Sequence, residues 1–383
     1  MMTMDQYQLL CTPEVQRAIR ENNLRDPLEV ALDKHVIHAQ LVASQLKYLA
    51  RAKTKLPTYA AASCILPALA FEQASSEACA GRKSCKGQAA LDLTCGLGVD
   101  ALLLAGRFDR VVTLERDEVL AKVAQENFAR MGVRNIQVIH NSAEAYLATC
   151  TEHFDWIYAD PDRRSSTGKK LLRLEDCSPN ILALMPTIQK IAGRLCLKNS
   201  PLFDVDEAFR LFPRSRVEVV SLKDECKEVV IYADDADPTL TAVALGQGEY
   251  SSSMVERTAI LPKEAFCPKD YRWLIIPDVA LQKARLACHH LCGKAWIESD
   301  NGYGFAVTQP EGILGRIFAI ETIEAYHPKV LRKQLSGATY TILKRDFPLT
   351  TAQIAKQIGL REGGTQQLAF TQVAGQRLVI RLK

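Results

Sequence analysis

The stretch from residue 88 to residue 117 decides the fold of this chain. It opens Gln88-Ala-Ala-Leu-Asp-Leu-Thr-Cys-Gly-Leu-Gly-Val-Asp100 and closes Arg110-Val-Val-Thr-Leu-Glu-Arg-Asp117. Its two apolar runs predict β-strands, and the residues between them predict a crossover helix. Gly96 and Gly98 allow a sharp turn close to a ligand, and the Glu115 carboxylate can accept hydrogen bonds from ribose hydroxyls. The stretch therefore predicts a site for an adenosine-type cofactor.

Asp92 separates two kinds of cofactor. With Ala101 in the third position, the turn at Gly96 and Gly98 could be a degenerate dinucleotide motif. A carboxylate four residues before the first glycine would repel the pyrophosphate of a dinucleotide, whereas it suits an ammonium group. S-adenosylmethionine has an ammonium group and no phosphate, so Asp92 favours this cofactor. An ordinary strand-to-helix turn without a ligand is the remaining alternative.

The twelve cysteines are scattered singly along the 383 residues, without a Cys-x-x-Cys pair. This pattern is typical of reduced, mostly buried thiols rather than of a disulfide framework. The cluster Cys288-His-His-Cys292 suggests a metal site, but on a helix only the two cysteines share a face. We therefore expect core packing there and no bound metal.

Charge is unevenly distributed along the chain. The net charge is +4, yet residues 328–383 contain ten basic and two acidic side chains, a balance of +8 that leaves about −4 elsewhere. A basic C-terminal segment predicts a polyanionic substrate. The first residues lack a basic stretch followed by an apolar one, and no apolar run approaches the length of a membrane span. We therefore expect a cytoplasmic protein without a membrane partner.

Strand and helix signals divide the chain into four predicted segments: helices in 1–87, a cofactor domain in 88–236, a small α+β (ferredoxin-like) domain in 237–325 and a basic domain in 326–383. Strands and helices alternate in the second segment, which ends in a hairpin. This order predicts an α/β fold with a seven-stranded, mostly parallel sheet.

Start and stop signals locate several helices within these segments. One long helix is predicted over residues 27–53, and Ser75 or Ser76 caps the start of another. In the third segment, Asp278 caps a helix that is predicted to run to about Leu291.

The loop after the fourth predicted strand reads Tyr158-Ala-Asp-Pro-Asp-Arg-Arg164. It resembles the Asp-Pro-Pro-aromatic signature of class I methyltransferases that act on amino nitrogens, where the acid and the proline carbonyl accept hydrogen bonds from an NH₂ group. The resemblance implies catalytic roles for Asp160, Pro161 and Arg163. The Arg163 guanidinium replaces the aromatic ring and can stack on a base or contact phosphates, and its pairing with Asp162 is the alternative.

Other polar residues follow the remaining strands. Thr94 stands where many such enzymes have a further glycine, and Ser142 where many have an aspartate that contacts adenine, so both are candidate cofactor ligands. The complete predicted cofactor set is Asp92, Thr94, Gly96, Gly98, Glu115 and Ser142. Lys198 and Glu225 also lie near strand ends, where charged side chains usually face water, and a role in the site is the alternative.

Six stretches together resemble one family: Glu72-Gln-Ala-Ser-Ser-Glu-Ala78, Asp92-Leu-Thr-Cys-Gly-Leu-Gly-Val-Asp100, Asp160-Pro-Asp-Arg-Arg164, Lys198-Asn-Ser-Pro201, Glu225-Cys-Lys-Glu228 and Lys344-Arg-Asp-Phe-Pro-Leu349. The chain resembles bacterial class I S-adenosylmethionine-dependent methyltransferases with a C-terminal THUMP-like domain, more distantly similar to the RNA cap guanine-N2 methyltransferases. In that family Asp162 is a variable position. The resemblance implies a Rossmann-like methyltransferase sheet, S-adenosylmethionine as cofactor, and an RNA-binding THUMP-like domain over 326–383.

Three functions are compatible with these features. The first is methylation of structured RNA, ribosomal or transfer RNA, at an exocyclic base nitrogen. The second is methylation of a protein or a small molecule, which the basic C-terminal segment disfavours. The third is a catalytically inactive RNA-binding protein with the cofactor fold, which the missing aromatic ring after Pro161 supports. We expect the first.

Overall fold

A computed structural model describes residues 2–162, 173–258 and 265–383. The chain forms two compact units. The first contains the residues up to Phe203 together with Val230–Ala236, and the second contains Asp204–Val229 and Asp237–Lys383. The predicted cofactor motif therefore lies in the first unit and the basic C-terminal segment in the second. The division into four segments stays a prediction.

The described elements of the first half are, in chain order, α1 (Met4–Cys11), α2 (Pro13–Glu21), α3 (Pro27–Leu32), α4 (Ala39–Lys55), α5 (Pro57–Ala61), α6 (Ala68–Gln73), α7 (Glu77–Ala80), β1 (Gly87–Asp92), α8 (Val99–Ala105), β2 (Phe108–Glu115), α9 (Glu118–Arg130), β3 (Ile136–His140), α10 (Ala143–Thr149), β4 (Trp156–Ala159), a 3₁₀ turn (Leu174–Asp176), α11 (Ile181–Ile191) and β5 (Leu195–Asn199).

The elements that follow are α12 (Val205–Leu211), β6 (Arg216–Leu222), β7 (Glu225–Ala233), β8 (Thr239–Leu245), β9 (Gly248–Ser253), α13 (Met254–Arg257), β10 (Trp273–Pro277), α14 (Val279–Ala284), α15 (Ala287–Leu291), β11 (Trp296–Ile297), β12 (Gly304–Ala306), β13 (Gly315–Ala325), α16 (Pro328–Leu335), β14 (Thr339–Lys344), α17 (Thr351–Ile358), β15 (Arg361–Val373) and β16 (Gln376–Leu382). Within the described ranges, every helix is too short or too polar to cross a membrane.

Parallel strands in the order β3-β2-β1-β4-β5 form the sheet of the first unit, with the end of β7 beyond β5. Strand β1 pairs with both β2 and β4, which places Asp92 beside Thr113 and Tyr158. Strands β2 and β3 pair Glu115 with His140. Because parallel strands end at the same edge of a sheet, the loops that follow them meet there. The predicted strands of this region are confirmed.

The predicted long helix over residues 27–53 is wrong, because the chain leaves the helical path between α3 and α4. The Asp33 carboxylate accepts the backbone N–H of His35 at 2.9 Å, which forms a local turn that competes with the helix. His38, directly before α4, has a left-handed backbone with φ of 47°. The predicted cap is confirmed at Ser76, whose hydroxyl accepts the N–H of Cys79 at 3.2 Å.

One hydrophobic core joins the N-terminal helices to the cofactor motif. It contains Val42, Tyr59 and Phe71 from the helices, Leu97 from the turn after β1 and Val99 from the start of α8, all buried. Burial of each large apolar side chain stabilises a fold by about 1.5–3 kcal/mol. The N-terminal helices are therefore built into the same unit as the motif.

The mixed sheet has nine strands where seven were predicted. In the second unit, β7 is followed in the sheet by β6, β8 and β9. Strand β8 runs parallel to β6, with Val217 opposite Leu240, and β9 runs antiparallel to β8. The two additional strands lie in residues 239–253, which the sequence-based division assigned to the next segment. The alternating Thr-Leu-Thr-Ala-Val-Ala-Leu pattern of β8 is the signal that was missed.

A second sheet in the second unit has the order β11-β12-β10-β13-β16-β15-β14. Strand β13 pairs with β16, with Glu324 opposite Val379, so this sheet crosses the boundary predicted at residue 326. The cap at Asp278 is confirmed, since its carboxylate accepts the N–H of Ala280 at 2.7 Å. Its helix does not continue to Leu291, because the left-handed backbone of Arg285 (φ 55°) separates α14 from α15.

Candidate cofactor and acceptor site

A cavity of about 2040 Å³ lies in the first unit at the carboxyl ends of its parallel strands. Residues at or just beyond the carboxyl ends of β1, β2, β3, β4 and β5 contribute to its wall: Thr94, Gly96, Glu115, Asn141, Ser142, Asp160, Pro161, Lys198 and Ser200. Ligands of open parallel sheets bind at this edge. Residues of α4, α6 and the loops beside them form another part of the wall, which the sequence interpretation did not predict.

The two glycines of the turn have different roles. Both have a left-handed backbone, with φ of 56° at Gly96 and 87° at Gly98. A Cβ on Gly98 would lie 2.5 Å from the ring of Phe128, so this glycine lets the turn pack against α9. Gly96 instead lines the cavity, where a Cβ would have no described atom within 4 Å. Of the two glycines, Gly96 is therefore the one whose backbone borders the open space of the cavity.

Glu115 connects the end of β2 to the glycine turn. Its Oε2 accepts the backbone N–H of Gly96 at 2.8 Å, and its Oε1 accepts the N–H of Asp117 at 2.9 Å. Burial raises the pKa of Glu115, against the effect of these two bonds. Each carboxylate oxygen can accept a second hydrogen bond, so a side chain fixed in the cavity wall retains acceptors for two ribose hydroxyls.

Asp92 holds the turn and does not line the cavity. Its carboxylate is completely buried and accepts hydrogen bonds from the Thr113 hydroxyl at 2.7 Å and the Thr94 N–H at 2.9 Å. Burial raises the pKa of Asp92 to about 7. The side chain is therefore directed into the protein, and the predicted contact between Asp92 and a ligand ammonium group does not match its position.

Asp100 is the carboxylate that faces the cavity from this motif. It lies in the first turn of α8, where its Oδ2 accepts the Ser75 hydroxyl at 2.8 Å and its Oδ1 lies 3.1 Å from the Lys83 ammonium. Burial opposes ionisation, yet the positive charges of Lys83 and Lys198 lower the pKa of Asp100. Sequence reasoning missed Asp100, although it ends the quoted motif, and missed Ser75 as a residue of the site.

Thr94 joins the glycine turn to the loop after β4. Its hydroxyl oxygen accepts the backbone N–H of Asp160 at 2.7 Å, and the hydroxyl lies 3.3 Å from Asp92 Oδ1 as a donor. The Asp160 carboxylate, one quarter exposed, forms an ion pair with Lys198. Pro161 lines the cavity beside it. The structure thus brings Asp160 and Pro161 to the cofactor motif.

Asp162, the next residue of this loop, is held by backbone hydrogen bonds and by an ion pair. Asp162 and Ser178 exchange two backbone hydrogen bonds of 2.8 and 3.0 Å. The Asp162 carboxylate lies 3.8 Å from Arg116, which also donates to the Ser178 hydroxyl at 3.0 Å. Arg163, predicted to stack on a base or contact phosphate, lies outside the described residues.

Ser142 and Glu225 occupy different surroundings. Ser142 lines the cavity after β3 and caps α10, with its Oγ accepting the N–H of Ala145 at 3.1 Å. Its hydroxyl proton can still be donated to a ligand. Glu225 lies in the second unit, is largely exposed and pairs with Lys227 at 2.6 Å. Glu225 therefore faces water, as charged side chains at strand ends usually do. Lys198 instead lines the cavity.

A glycine turn, a glutamate at the end of the next strand and an Asp-Pro loop at one edge of a sheet with this strand order are typical of a class I methyltransferase domain. Family models agree: one described as a methyltransferase domain matches residues 90–164, and one described as THUMP domain-like matches residues 315–383. The chain combines a class I methyltransferase domain, whose cofactor is S-adenosylmethionine, with a C-terminal THUMP-like domain. The second match includes β13, as the pairing of β13 with β16 requires.

Curated relatives match part of the chain. Ribosomal RNA small subunit methyltransferase J of Coxiella burnetii (strain RSA 331 / Henzerling II) is 32% identical over 139 residues, covering 32% of this chain and 54% of the relative. The protein of that name from Francisella tularensis subsp. novicida (strain U112) is 33% identical over 79 residues, covering 18% of this chain and 33% of the relative. The chain thus spans about half, or less, of these relatives.

A solved structure from Porphyromonas gingivalis W83 matches the chain over its whole length. It covers 100% of this chain and 98% of its own, with a TM-score of 0.81 and 22% sequence identity. At this identity the likeness establishes a shared fold.

Proposed function

We propose that this protein transfers a methyl group from S-adenosylmethionine to an exocyclic amino nitrogen of a base in structured RNA, in the cytoplasm. The observation that carries the proposal is the position of Asp160 and Pro161 in the same cavity wall as Glu115. A cofactor held by Glu115 and an acceptor held by Asp160 would share one cavity. The proximity of two bound reactants is the main contribution of a protein to such a transfer.

The residues of the wall fit the cofactor. Glu115 offers acceptors to the ribose hydroxyls, and Gly96 leaves room for the ligand beside the backbone. Ser142, after β3, can donate to the adenine ring. We assign the α-ammonium group to the carboxylate of Asp100 in place of Asp92, because Asp100 lines the cavity and the charges of Lys83 and Lys198 lower its pKa. When bound, S-adenosylmethionine supplies an electrophilic methyl group.

Asp160 and Pro161 suit an amine acceptor. The Asp160 carboxylate and the Pro161 carbonyl are hydrogen-bond acceptors, and an NH₂ group has two protons to donate. Donation to both oxygens would fix the plane of the NH₂ group and the direction of its lone pair. A ring nitrogen without a proton would instead face two oxygens that repel its lone pair. This complementarity favours an exocyclic nitrogen.

Support for RNA as substrate comes from three features outside the cavity. The C-terminal segment carries the +8 balance counted in the sequence. A THUMP domain-like model matches residues 315–383. The Coxiella and Francisella relatives are named as ribosomal RNA methyltransferases. A positively charged surface attracts RNA through its phosphates without sequence preference, so the choice of base would remain with the cavity.

Nucleoside mass spectrometry tests the proposal. RNA from a strain that lacks the gene is compared with RNA from the same strain carrying either the wild-type gene or Asp160→Ala. We expect one N-methylated nucleoside to disappear in the deletion strain and to return with the wild-type gene alone. Identical nucleosides in all strains would refute RNA methylation. Binding of S-adenosylhomocysteine and RNA without methylation would favour the inactive alternative.

A further inference from the structure

We infer that Lys198 is a positioning residue for Asp160, which orients the carboxylate so that one oxygen meets the acceptor amine. The inference rests on the proposed function and assigns to Lys198 a role in the same reaction. Lys198 would contact the carboxylate and not the transferred methyl group.

The register of the sheet brings the two side chains together. Strands β4 and β5 are parallel neighbours, with Ala159 opposite Leu197. Asp160 and Lys198 are the next residues on the two strands, so they emerge side by side at the carboxyl edge. The Lys198 ammonium group donates to Oδ2 of Asp160. The other oxygen, Oδ1, can then accept a hydrogen bond from the amine that receives the methyl group.

The burial of Lys198 indicates a role other than stabilising the fold. The side chain of Lys198 is 11% exposed, whereas that of Asp160 is 26% exposed. A buried ion pair is rarely more stable than apolar residues of the same volume, because both charges lose water. A lysine whose only task was to fill this space would be better replaced by an apolar side chain. Its charge therefore acts on the partly exposed carboxylate.

The backbone of Asp160 is held from the opposite side. Its N–H donates to the Thr94 hydroxyl at 2.7 Å. The Asp-Pro-Pro pattern would add the rigid ring of a second proline, but this chain has Asp162 at that position. Thr94 restrains the main chain and Lys198 restrains the side chain, so together they can supply the rigidity that the second proline would give.

Neighbouring charges preserve the pair. Asp100 is close enough to Lys198 for the lysine to contribute to the lowered pKa of Asp100, and Lys83, 2% exposed, balances Asp100 on its other side. Positive and negative charges thus alternate from Lys83 through Asp100 and Lys198 to Asp160. In this row each charge therefore has a neighbour of opposite sign.

A double-mutant cycle tests the inference. The variants are Lys198→Met, Asp160→Asn and their combination, with Lys190→Met on the exposed side of α11 as the control. Transfer of labelled methyl groups to RNA from the deletion strain gives kcat, and calorimetry with S-adenosylhomocysteine reports cofactor binding. We expect Lys198→Met to lower kcat by about 10-fold or more while cofactor affinity stays within about 3-fold of wild type.

The double variant separates positioning from a structural role. Asparagine keeps a carbonyl oxygen for the amine, but beside Lys198 it leaves a buried charge without its carboxylate. Removing that charge should restore activity, so Asp160→Asn with Lys198→Met is expected to have a higher kcat than Asp160→Asn alone. Lys198→Arg, which keeps the charge, should be more active than Lys198→Met.

Three results would overturn the inference. One is wild-type kcat in Lys198→Met. Another is a decrease of kcat in Lys198→Met accompanied by an equally large decrease of affinity for S-adenosylhomocysteine, which would mean that the variant damages the whole cavity. The third is strictly additive losses in the double variant. A wild-type protein that does not methylate the RNA would refute the proposed function itself, and the role of Lys198 with it.

Discussion

Replacement of Glu115 by alanine tests the cofactor site most directly. In the structure Glu115 presents two oxygens at the cavity, each with one backbone N–H already bound. Loss of two charge-assisted hydrogen bonds to a ribose should cost about 2–4 kcal/mol of binding free energy, or a roughly 30- to 1,000-fold weaker affinity. Truncation also leaves the N–H of Gly96 without its acceptor, so the glycine turn should loosen and the loss should lie toward the upper end.

Calorimetry with S-adenosylhomocysteine measures the effect, and thermal denaturation checks that the fold is retained. Glu118→Ala is the matched control, because Glu118 is an exposed glutamate three residues away that pairs with Lys122 at 3.0 Å. Exposed pairs of this kind contribute little, so the control should bind as wild type does. Glu115→Gln should be intermediate, since it keeps one acceptor oxygen. Unchanged affinity in Glu115→Ala, or tighter binding of NAD than of S-adenosylhomocysteine by the wild type, would refute the assignment.

Three further predictions concern other parts of the molecule. Asp160→Ala should abolish methyl transfer and leave S-adenosylhomocysteine affinity unchanged in calorimetry, because the proposed partner of Asp160 is the acceptor amine and not the cofactor; full activity would contradict this role. Burial raises the pKa of Asp92 from 3.8 to about 7, so the folded protein binds this proton more tightly than the unfolded chain does. The resulting stability is present below about pH 4 and lost as the pH rises to about 7, a change on the order of 4 kcal/mol. Urea titrations at a series of pH values should therefore show that the free energy of unfolding depends less on pH in Asp92→Asn than in the wild type. Changing the exposed Lys329, Arg332 and Lys333 of α16 to glutamine should weaken RNA binding and reduce the log-log salt slope by about 0.7–0.9 per lost phosphate contact in filter-binding assays; an unchanged slope would exclude this helix from the RNA interface.

Short-range sequence patterns predicted the strands and the edge of the sheet where their loops meet. Strand ends, glycine turns and caps depend on neighbouring residues, so Glu115, Asp160 and the Ser76 cap could be located without coordinates. Whether Asp92 or Asp100 faces the cavity depends on the path of the turn into α8. That path is set by the packing of Gly98 against Phe128, a contact between residues 30 positions apart.

Longer-range features escaped the sequence interpretation for the same reason. The cavity wall formed by α4 and α6 follows from the packing of Val42 and Phe71 in the core that also contains Leu97. The break before α4 requires a left-handed backbone at His38, a conformation that histidine adopts only occasionally. The boundary predicted at residue 326 falls inside a sheet, so a chain cut there would lose β16, one of the two strands that pair with β13.

The hydroxyl of Thr94 has a consequence for how this enzyme can change. Through one oxygen it touches the turn that Asp92 supports and the main chain of Asp160. A glycine at this position would have no side-chain atom that could make either contact. In the proposed function, one side chain therefore links the cofactor side of the cavity to the acceptor side. A change that moves the main chain of the Asp160 loop would therefore reach the glycine turn through Thr94, whereas a replacement of the Asp160 side chain alone leaves this bond in place.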